Sequence, residues 1–395
     1  MQQPLPRAIR ERGHHAGQPQ ENLQHRDGRR LTVVQILPAL NNGGVERSTL
    51  EIAAALTAEG HRSLVISAGG RWVDALIAAG SEHIRLDIGA KSPRTLLRVP
   101  ALRRVLRDLN ADIVHVRSRL PAWITHFALR GLRPRPHLVS TVHGLNSPGW
   151  YSAILTRAER VICVSETVRR YVQQHYPDVP SECLRVIPRG IDPNDFPRGF
   201  RASREWRNAF LREHPALEGG PILTLPGRGT RLKGHAEALH LLAALHQQGC
   251  AARLLILGVR EAGREHYVDE LLRLATALGV ADQLVMTTPR SDVQAIYSLS
   301  HVVLQLSSKP EAFGRTVIEA LQLGVPVLGF AHGGVGELLR ELYPVGCVPL
   351  GDRAALLDAA LALLEEAPPV AAFAGYRLAD MQASTLAIYR ELVGS

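Results

Sequence analysis

Residues 301–330 read HVVLQLSSKPEAFGRTVIEALQLGVPVLGF. The apolar run 301–307 has the length and β-branched content of a buried strand, and SKPEAFG carries the proline and glycine punctuation of a loop. RTVIEALQLG then has the spacing of a short helix, and VPVLGF is the next strand. This strand, loop, helix, strand unit predicts a parallel sheet. It places Glu311 in the loop beyond the carboxyl end of a strand and Glu319 on the first turns of the helix that follows. Ligands bind at that position in open parallel sheets, because loops and helix amino termini converge there. The spacing of two glutamates by itself reads equally well as ordinary surface.

The same rhythm runs outward in both directions. From Leu31, LTVVQILPAL, ERSTLEIAAALTAEG, RSLVISAG, a helix-like WVDALIAAG, HIRLDI, a basic helix, DIVHVRS, another helix, HLVSTVHG, RVICVS and LRVIPRG alternate short apolar runs with helical segments. After the Pro, Gly and Asp-rich GIDPNDFPRGF the pattern restarts at residue 221 with PILTLPGR, ARLLILGV, QLVMTTP and the opening stretch. The expectation is an α/β chain of two doubly wound, Rossmann-like domains facing across a cleft. The expected boundaries are a disordered basic extension over 1–30, a first domain over 31–198, a second over 199–372, and a terminal helix over 373–395 packing back on the first.

With 395 residues, 46% of them hydrophobic, the chain has apolar material for two cores. No run reaches the length of a membrane span and no signal-peptide core opens the chain, so a cytoplasmic location is expected. Cys163, Cys183, Cys250 and Cys347 are widely spread and read as buried thiols rather than a disulfide or zinc framework. The formal net charge of +9 points to an anionic partner. Nucleic acid is disfavoured by the 5% aromatic content and the lack of a binding module.

PGRGTRLKGH (226–235) follows a strand and opens a helix, but Lys233 precedes Gly234 and His235, so it is not a Walker A loop. No G-x-G-x-x-G follows the first strand, which argues against a nicotinamide-dependent dehydrogenase. Arg228 and Lys233 around a tight turn suit a diphosphate, the first as a planar fork and the second as a point charge. A solvated basic loop reads equally well. NNGGVERS (41–48) supplies Gly43 and Gly44, which permit close approach of a ligand or form a plain turn. There is no Asp-x-Asp and no histidine pair at zincin spacing, so no metal is expected and protein cations would take the role that Mg²⁺ plays elsewhere.

From about residue 31 onward these pieces resemble the GT-B glycosyltransferases, in particular the retaining glycosyltransferase family four. The resemblance is carried, in order, by GGVER, RVICVSETVRRYV, LRVIPRGIDPNDF, PGRGTRLKGH and PEAFGRTVIEALQLGVPVLGFAHGGVGELL. It implies a metal-independent hexosyltransferase that needs no cofactor and takes a nucleotide-diphosphate sugar as donor. By that likeness Arg228 and Lys233 hold the diphosphate, Glu319 the ribose hydroxyls, and Glu311 the sugar ring. Backbone N–H groups over Phe313, Gly314, Arg315 and Thr316 face the phosphates, and Gly43 and Gly44 lie in the donor loop. His143 matches the active-site histidine near the sugar. Retention would follow from front-side attack, with the departing phosphate oxygen taking the acceptor proton. MTTPRSDV, with Thr288, Pro289 and Arg290, departs from the glycine-containing loop expected at the nucleobase.

The expected acceptor is a bacterial surface glycolipid or oligosaccharide, with lipopolysaccharide core as the first choice. Arg117 and Arg119, after the fourth strand, are candidates to face an anionic acceptor, or they form a solvated strand end. KSPRTLLRVPALRRVLR (91–107) has no acidic residue. Leu102, Val105, Leu106 and Leu109 fall on one side, Arg103, Arg104 and Arg107 fall toward the other, and Pro100 interrupts the helix. This predicts either docking on an anionic membrane surface or an ordinary crossover helix. A nucleotide-sugar 2-epimerase and a non-catalytic nucleotide-sugar binder are the alternative functions.

Overall fold

A computed structural model describes residues 29–41 and 43–394, so the expected extension lies outside the described residues except for Arg29 and Arg30. The chain divides into two compact units, one running to Gly190 and resuming at Leu378, the other covering Ile191–Arg377. The division thus falls at 190/191 and 377/378 rather than at 198/199 and 372/373. Where the chain leaves and re-enters, Ile191 pairs in parallel with Arg377, and its N–H donates to the Tyr376 carbonyl at 2.9 Å.

The first unit is built on β1 (Thr32–Ile36), β2 (Arg62–Ser67), β3 (Glu82–Arg85), β4 (Ile113–Val116), β5 (His137–Val142), β6 (Arg160–Cys163) and β7 (Leu184–Val186). All pairings are parallel, in the order β3-β2-β1-β4-β5-β6-β7. Val33, Val34, Ile36, Ile113, Val114 and Val139 are fully buried, as a sheet covered on both faces requires. The last helix, Leu378–Gly394, packs Met381, Leu386, Ile388, Tyr389 and Leu392 into one cluster with Leu31, Val33, Ile52, Leu56, Ile113 and Val139. A polar pin holds it there. His115 on β4 shares a 2.6 Å hydrogen bond between Nδ1 and the Tyr389 hydroxyl, and a second, at 2.7 Å, between Nε2 and the Thr141 hydroxyl. Burial, reinforced by Arg117 and Arg189, keeps this imidazole well below its ordinary pKa and therefore neutral.

The second unit repeats the plan with β8 (Ile222–Pro226), β9 (Arg253–Leu257), β10 (Leu284–Met286), β11 (Val302–Gln305), β12 (Val327–Phe330) and β13 (Cys347–Val348). Its order is β10-β9-β8-β11-β12-β13, again parallel throughout. In each unit the strand order reverses beside the first strand, between β1 and β4 and between β8 and β11. Loops leaving those strand ends diverge to opposite faces and open a crevice.

The basic segment departs from its expected form. Pro100 does not interrupt a helix; it lies in the first turn of Val99–Asp108, where its missing N–H costs nothing, and a 3₁₀ turn, Pro93–Arg98, precedes it. Leu102 and Leu106 are buried. Arg103 turns inward and donates to the Ala128 and Phe127 carbonyls, both at 3.0 Å, at the carboxyl end of helix Arg119–Leu129. Carbonyls at the carboxyl end of a helix lie at the negative end of its dipole with accepting capacity to spare, and they draw in the cation. Arg107 pairs with Asp108. The four cysteines are free thiols, but only Cys163 is buried as expected, the other three being half-buried; burial pushes the Cys163 thiol up to about 12. No helix of the described residues is long and apolar enough to cross a membrane.

Tyr389→Phe keeps the ring but leaves His115 Nδ1 buried without a partner. A loss of about 1–3 kcal/mol is expected, read as a lower urea midpoint with native helix content. A midpoint equal to the parent's would show that the hydroxyl is not what fastens the terminal helix.

Candidate active site

The second unit's site is built from the two loops that leave β8 and β11. The first passes through Gly227–Thr230 and a 3₁₀ turn, Arg231–Lys233, then reaches Gly234 at φ 76° before helix His235–Gln247. A Cβ on Gly234 would stand 1.9 Å from the Leu306 carbonyl oxygen, so this position needs glycine both for its left-handed backbone and for the contact with the neighbouring loop. The second runs from Leu306 to Gly314, which is at φ 110° and opens helix Arg315–Leu323.

The loops are joined by side chains. Lys233 Nζ donates to Glu311 Oε1 at 2.8 Å, and the Ser307 hydroxyl donates to the same oxygen. Burial alone would raise the Glu311 pKa, but the Lys233 charge and the two hydrogen bonds outweigh it and hold the carboxyl below its ordinary value, with His332 adding to the effect. Glu311 is therefore ionised at neutral pH.

The Glu311 loop rests on the amino end of helix Gly333–Leu342. The Gly334 N–H donates to the Glu311 carbonyl at 2.7 Å, and His332 Nε2 donates to the Ser307 carbonyl at 2.7 Å. A Cβ on Gly333 would come within 2.6 Å of the Glu311 carbonyl, and one on Gly334 within 2.4 Å of the Phe313 carbonyl. Paired glycines are what let the two backbones meet. Ser307, His332, Gly333 and Gly334 were not expected from the sequence as site residues, although all lie at or just past the end of a strand-like run, which is the signal that would have found them.

Arg228 is exposed, and its side chain has no hydrogen-bond or ion-pair partner among the described residues. Glu319 is only 5% exposed, on the second turn of helix Arg315–Leu323, with Arg315 Nε 4.0 Å from its Oε1. Thr316 accepts a hydrogen bond from Gln305 Nε2. The Phe313 ring is buried and packs 5.9 Å from the Tyr376 ring, so its side chain serves packing. Arg290, in the departing nucleobase loop, is committed to Asp292 by two 2.8 Å bonds and lies over the Phe210 ring.

The remaining candidates belong to the first unit. Gly43 precedes helix Gly44–Ala58, and a Cβ there would lie 2.6 Å from Glu46 Oε2, while one on Gly44 would meet nothing within 4 Å. A carboxylate of the chain itself thus occupies this helix amino terminus. Arg117 needs correction: it neither forms a solvated strand end nor faces an acceptor. It is 2% exposed, donating from Nε to Gln35 Oε1 at 2.9 Å and from Nη1 to the Ser48 hydroxyl at 3.1 Å. The reason is position, because it directly follows β4 in the middle of the sheet and its side chain enters the helix layer. Burial lowers its pKa to about 10, with Tyr389 and Glu51 acting against that shift, so it stays charged. Arg119 opens helix Arg119–Leu129, donates to the Ser152 hydroxyl at 3.2 Å and lies over the Tyr151 ring. His143 directly follows β5 and receives Arg189 Nη2 at Nδ1, 2.7 Å away.

Known proteins match the chain in two parts. The family profile described as Glycosyltransferase Family 4 matches residues 42–195, and that described as Glycosyl transferases group 1 matches residues 207–376. YtcC of Bacillus subtilis, named as a glycosyltransferase, is 24% identical over 252 residues, which span 61% of this chain and 60% of that protein. The crystal structure of a glycosyltransferase from Rickettsia africae ESF-5 superposes with a TM-score of 0.78 at 24% identity, covering 92% of this chain and 99% of its own. Anabaena HepE, solved with UDP and glucose, gives 0.72 at 18% identity, over 92% and 98%. With one glycosyltransferase profile on each parallel-sheet unit and solved glycosyltransferases sharing the whole architecture, the chain is a two-domain glycosyltransferase of the GT-B fold.

Proposed function

We propose that the chain is a retaining hexosyltransferase that moves a sugar from a nucleotide-diphosphate sugar to a surface glycoconjugate, with lipopolysaccharide core as the first acceptor to try. The observation that carries this reading is the pair of cations at the β8/β11 crevice, Arg228 exposed and Lys233 held by Glu311. A diphosphate brings two or more negative charges and competes with a single carboxylate for Lys233. Once the phosphates take the ammonium, Glu311 is released to accept hydrogen bonds from sugar hydroxyls. Before donor arrives, the same carboxylate neutralises the lysine and fixes its position. Glu319, buried behind the first turn of its helix, is assigned to the ribose hydroxyls. HepE was solved with UDP and glucose, which supports a uridine nucleotide-sugar as the first donor to test.

The chemistry follows from where charge grows. As the bond from anomeric carbon to phosphate lengthens, the leaving diphosphate gains negative charge, and Arg228, Lys233 and the first-turn N–H groups of helix Arg315–Leu323 stabilise it. Front-side attack lets the departing phosphate oxygen take the acceptor proton, and no side-chain base is assigned.

Nucleotide release from candidate donors, with identification of the sugar product, tests the reading. Transfer or slow hydrolysis supports it, an epimerised donor favours an isomerase, and binding without turnover favours a non-catalytic role. Lys233→Ala is expected to lower turnover about 100- to 1000-fold. Glu311→Gln should lower turnover about 100-fold while nucleoside diphosphate binds as tightly as before or more tightly. Glu319→Ala should weaken that binding by about tenfold, the loss of roughly 1.4 kcal/mol of hydrogen bonding to a charged group. Parent-like affinity in Glu319→Ala together with parent-like turnover in Lys233→Ala would reject the assignment.

Two cations at the diphosphate also lead us to expect transfer without a metal. Activity in excess EDTA decides this, and loss restored by Mg²⁺ or Mn²⁺ would contradict it.

Docking on anionic membrane is proposed through the turn and helix over 93–108. With Arg103 turned inward and the exposed Arg107 paired to Asp108, the outer cations left are Arg94, Arg98 and Arg104, beside Leu96 and Leu97, which are 52% and 76% exposed. Cations near anionic lipid contribute roughly 1 kcal/mol each. Parent and Arg94→Glu/Arg98→Glu/Arg104→Glu are compared by co-sedimentation with neutral and anionic vesicles, in a background lacking residues 1–28. Binding indifferent to lipid charge and to the triple substitution would reject this surface.

A further inference from the structure

The first unit contains two inward-turned arginines beside a histidine, and their donor geometry fixes the histidine's protonation. Arg189 lies just beyond β7 and is 9% exposed. Its Nη1 donates to the Ser48 hydroxyl at 3.0 Å, and its Nη2 meets His143 Nδ1 at 2.7 Å. The same Ser48 hydroxyl receives Arg117 Nη1 at 3.1 Å, and Arg117 is itself held by Gln35. The guanidinium facing His143 is therefore tied down on its far side and cannot swing away without breaking a buried network.

A guanidinium only donates. The ring nitrogen at 2.7 Å must then present a lone pair, so His143 carries its single proton on Nε2. Protonating Nδ1 would set N–H against N–H and add a cation beside two others. The titratable and charged groups that bear on this ring are Arg189, Arg117 and His115, and no carboxylate is among them. Burial first, then Arg189, Arg117 and His115, hold His143 well below its ordinary value of 6.5. Its Nε2 is also buried and has no hydrogen-bond partner among the described residues. A buried N–H donor left in that condition has lost its water without gaining an acceptor, and an oxygen of a bound ligand would satisfy it.

We propose that Arg189 is a positioning residue that locks His143 as the neutral Nε2–H tautomer, so that His143 can only donate a hydrogen bond to a ligand oxygen and never serves as a proton-transfer base. The tautomer assignment stands without any functional reading. The identification of that oxygen as a hydroxyl of the transferred sugar rests on the proposed function. A locked donor suits a reaction in which the leaving phosphate collects the acceptor's proton, because an imidazole with a free lone pair would compete for it.

The test is a long-range ¹H–¹⁵N imidazole spectrum of the full chain, ¹⁵N-labelled at histidine, with His143 assigned by its loss in His143→Gln. The parent is expected to show the Nε2–H pattern at His143, unchanged between roughly pH 5 and 8, the window in which an unperturbed imidazole titrates. A Nδ1–H pattern, or a titration near the ordinary value, would overturn the proposal with no variant needed. In Arg189→Met, His143 should populate both tautomers and begin to titrate inside the window, whereas Arg189→Lys, still a pure donor, should keep the parent pattern. Arg189→Met with the parent pattern would mean that the arginine only fills space, which also overturns it. Turnover of nucleotide-sugar is measured separately. An acid limb that appears in kcat/KM for Arg189→Met but not for Arg189→Lys supports the lock. Absence of transfer in every variant, parent included, counts against the proposed nucleotide-sugar donor reaction and leaves the spectral result standing.

Discussion

The hydrogen-bonded ion pair between Lys233 and Glu311 is the constraint around which the second unit's site is organised. These residues are 78 apart in sequence and meet only because β8 and β11 are parallel neighbours at the point where strand order reverses. Everything nearby serves to keep their loops close. Gly234 lets one loop press on the Leu306 carbonyl, Gly333 and Gly334 let a helix end support the other, and His332 and Ser307 hold the carboxylate's own loop. The pair is partly exposed, so its Coulomb energy is modest. Its consequence is geometric: a lysine and a carboxylate are held in fixed position at the mouth of a crevice.

The first unit handles charge in the opposite way. Arg117 and Arg189 are drawn into the protein, share one serine hydroxyl, and are satisfied by Gln35 and His143 rather than by solvent. Buried cations persist only where donors find acceptors and the field is offset. Here Glu51, itself buried, acts on Arg117, and neutral imidazoles at 115 and 143 replace what would be further cations. The same network reaches the terminal helix through His115 and Tyr389, so the segment that closes the unit is anchored to the sheet strand bearing these groups. Burial, and after it the positive charge that protonation would add beside two arginines, hold both imidazoles neutral.

Alternation of short apolar runs with helical segments was enough to determine two doubly wound units, because strands covered on both faces must be apolar and crossovers between parallel strands must be helical. The motif spacing likewise put Arg228, Lys233, Glu311 and Glu319 at strand ends and helix starts. Sequence did not reveal the direction in which a long cationic side chain turns. Arg117 and Arg103 both read as available charge, yet one enters the helix layer and the other caps a helix end. Each outcome depends on acceptors contributed by segments distant in the chain, and local pattern carries no information about those. The tautomer of His143 is of the same kind. A histidine after a strand was legible at once, but the proton it carries is decided by a guanidinium 46 residues away, and only the folded chain brings the two within hydrogen-bonding reach.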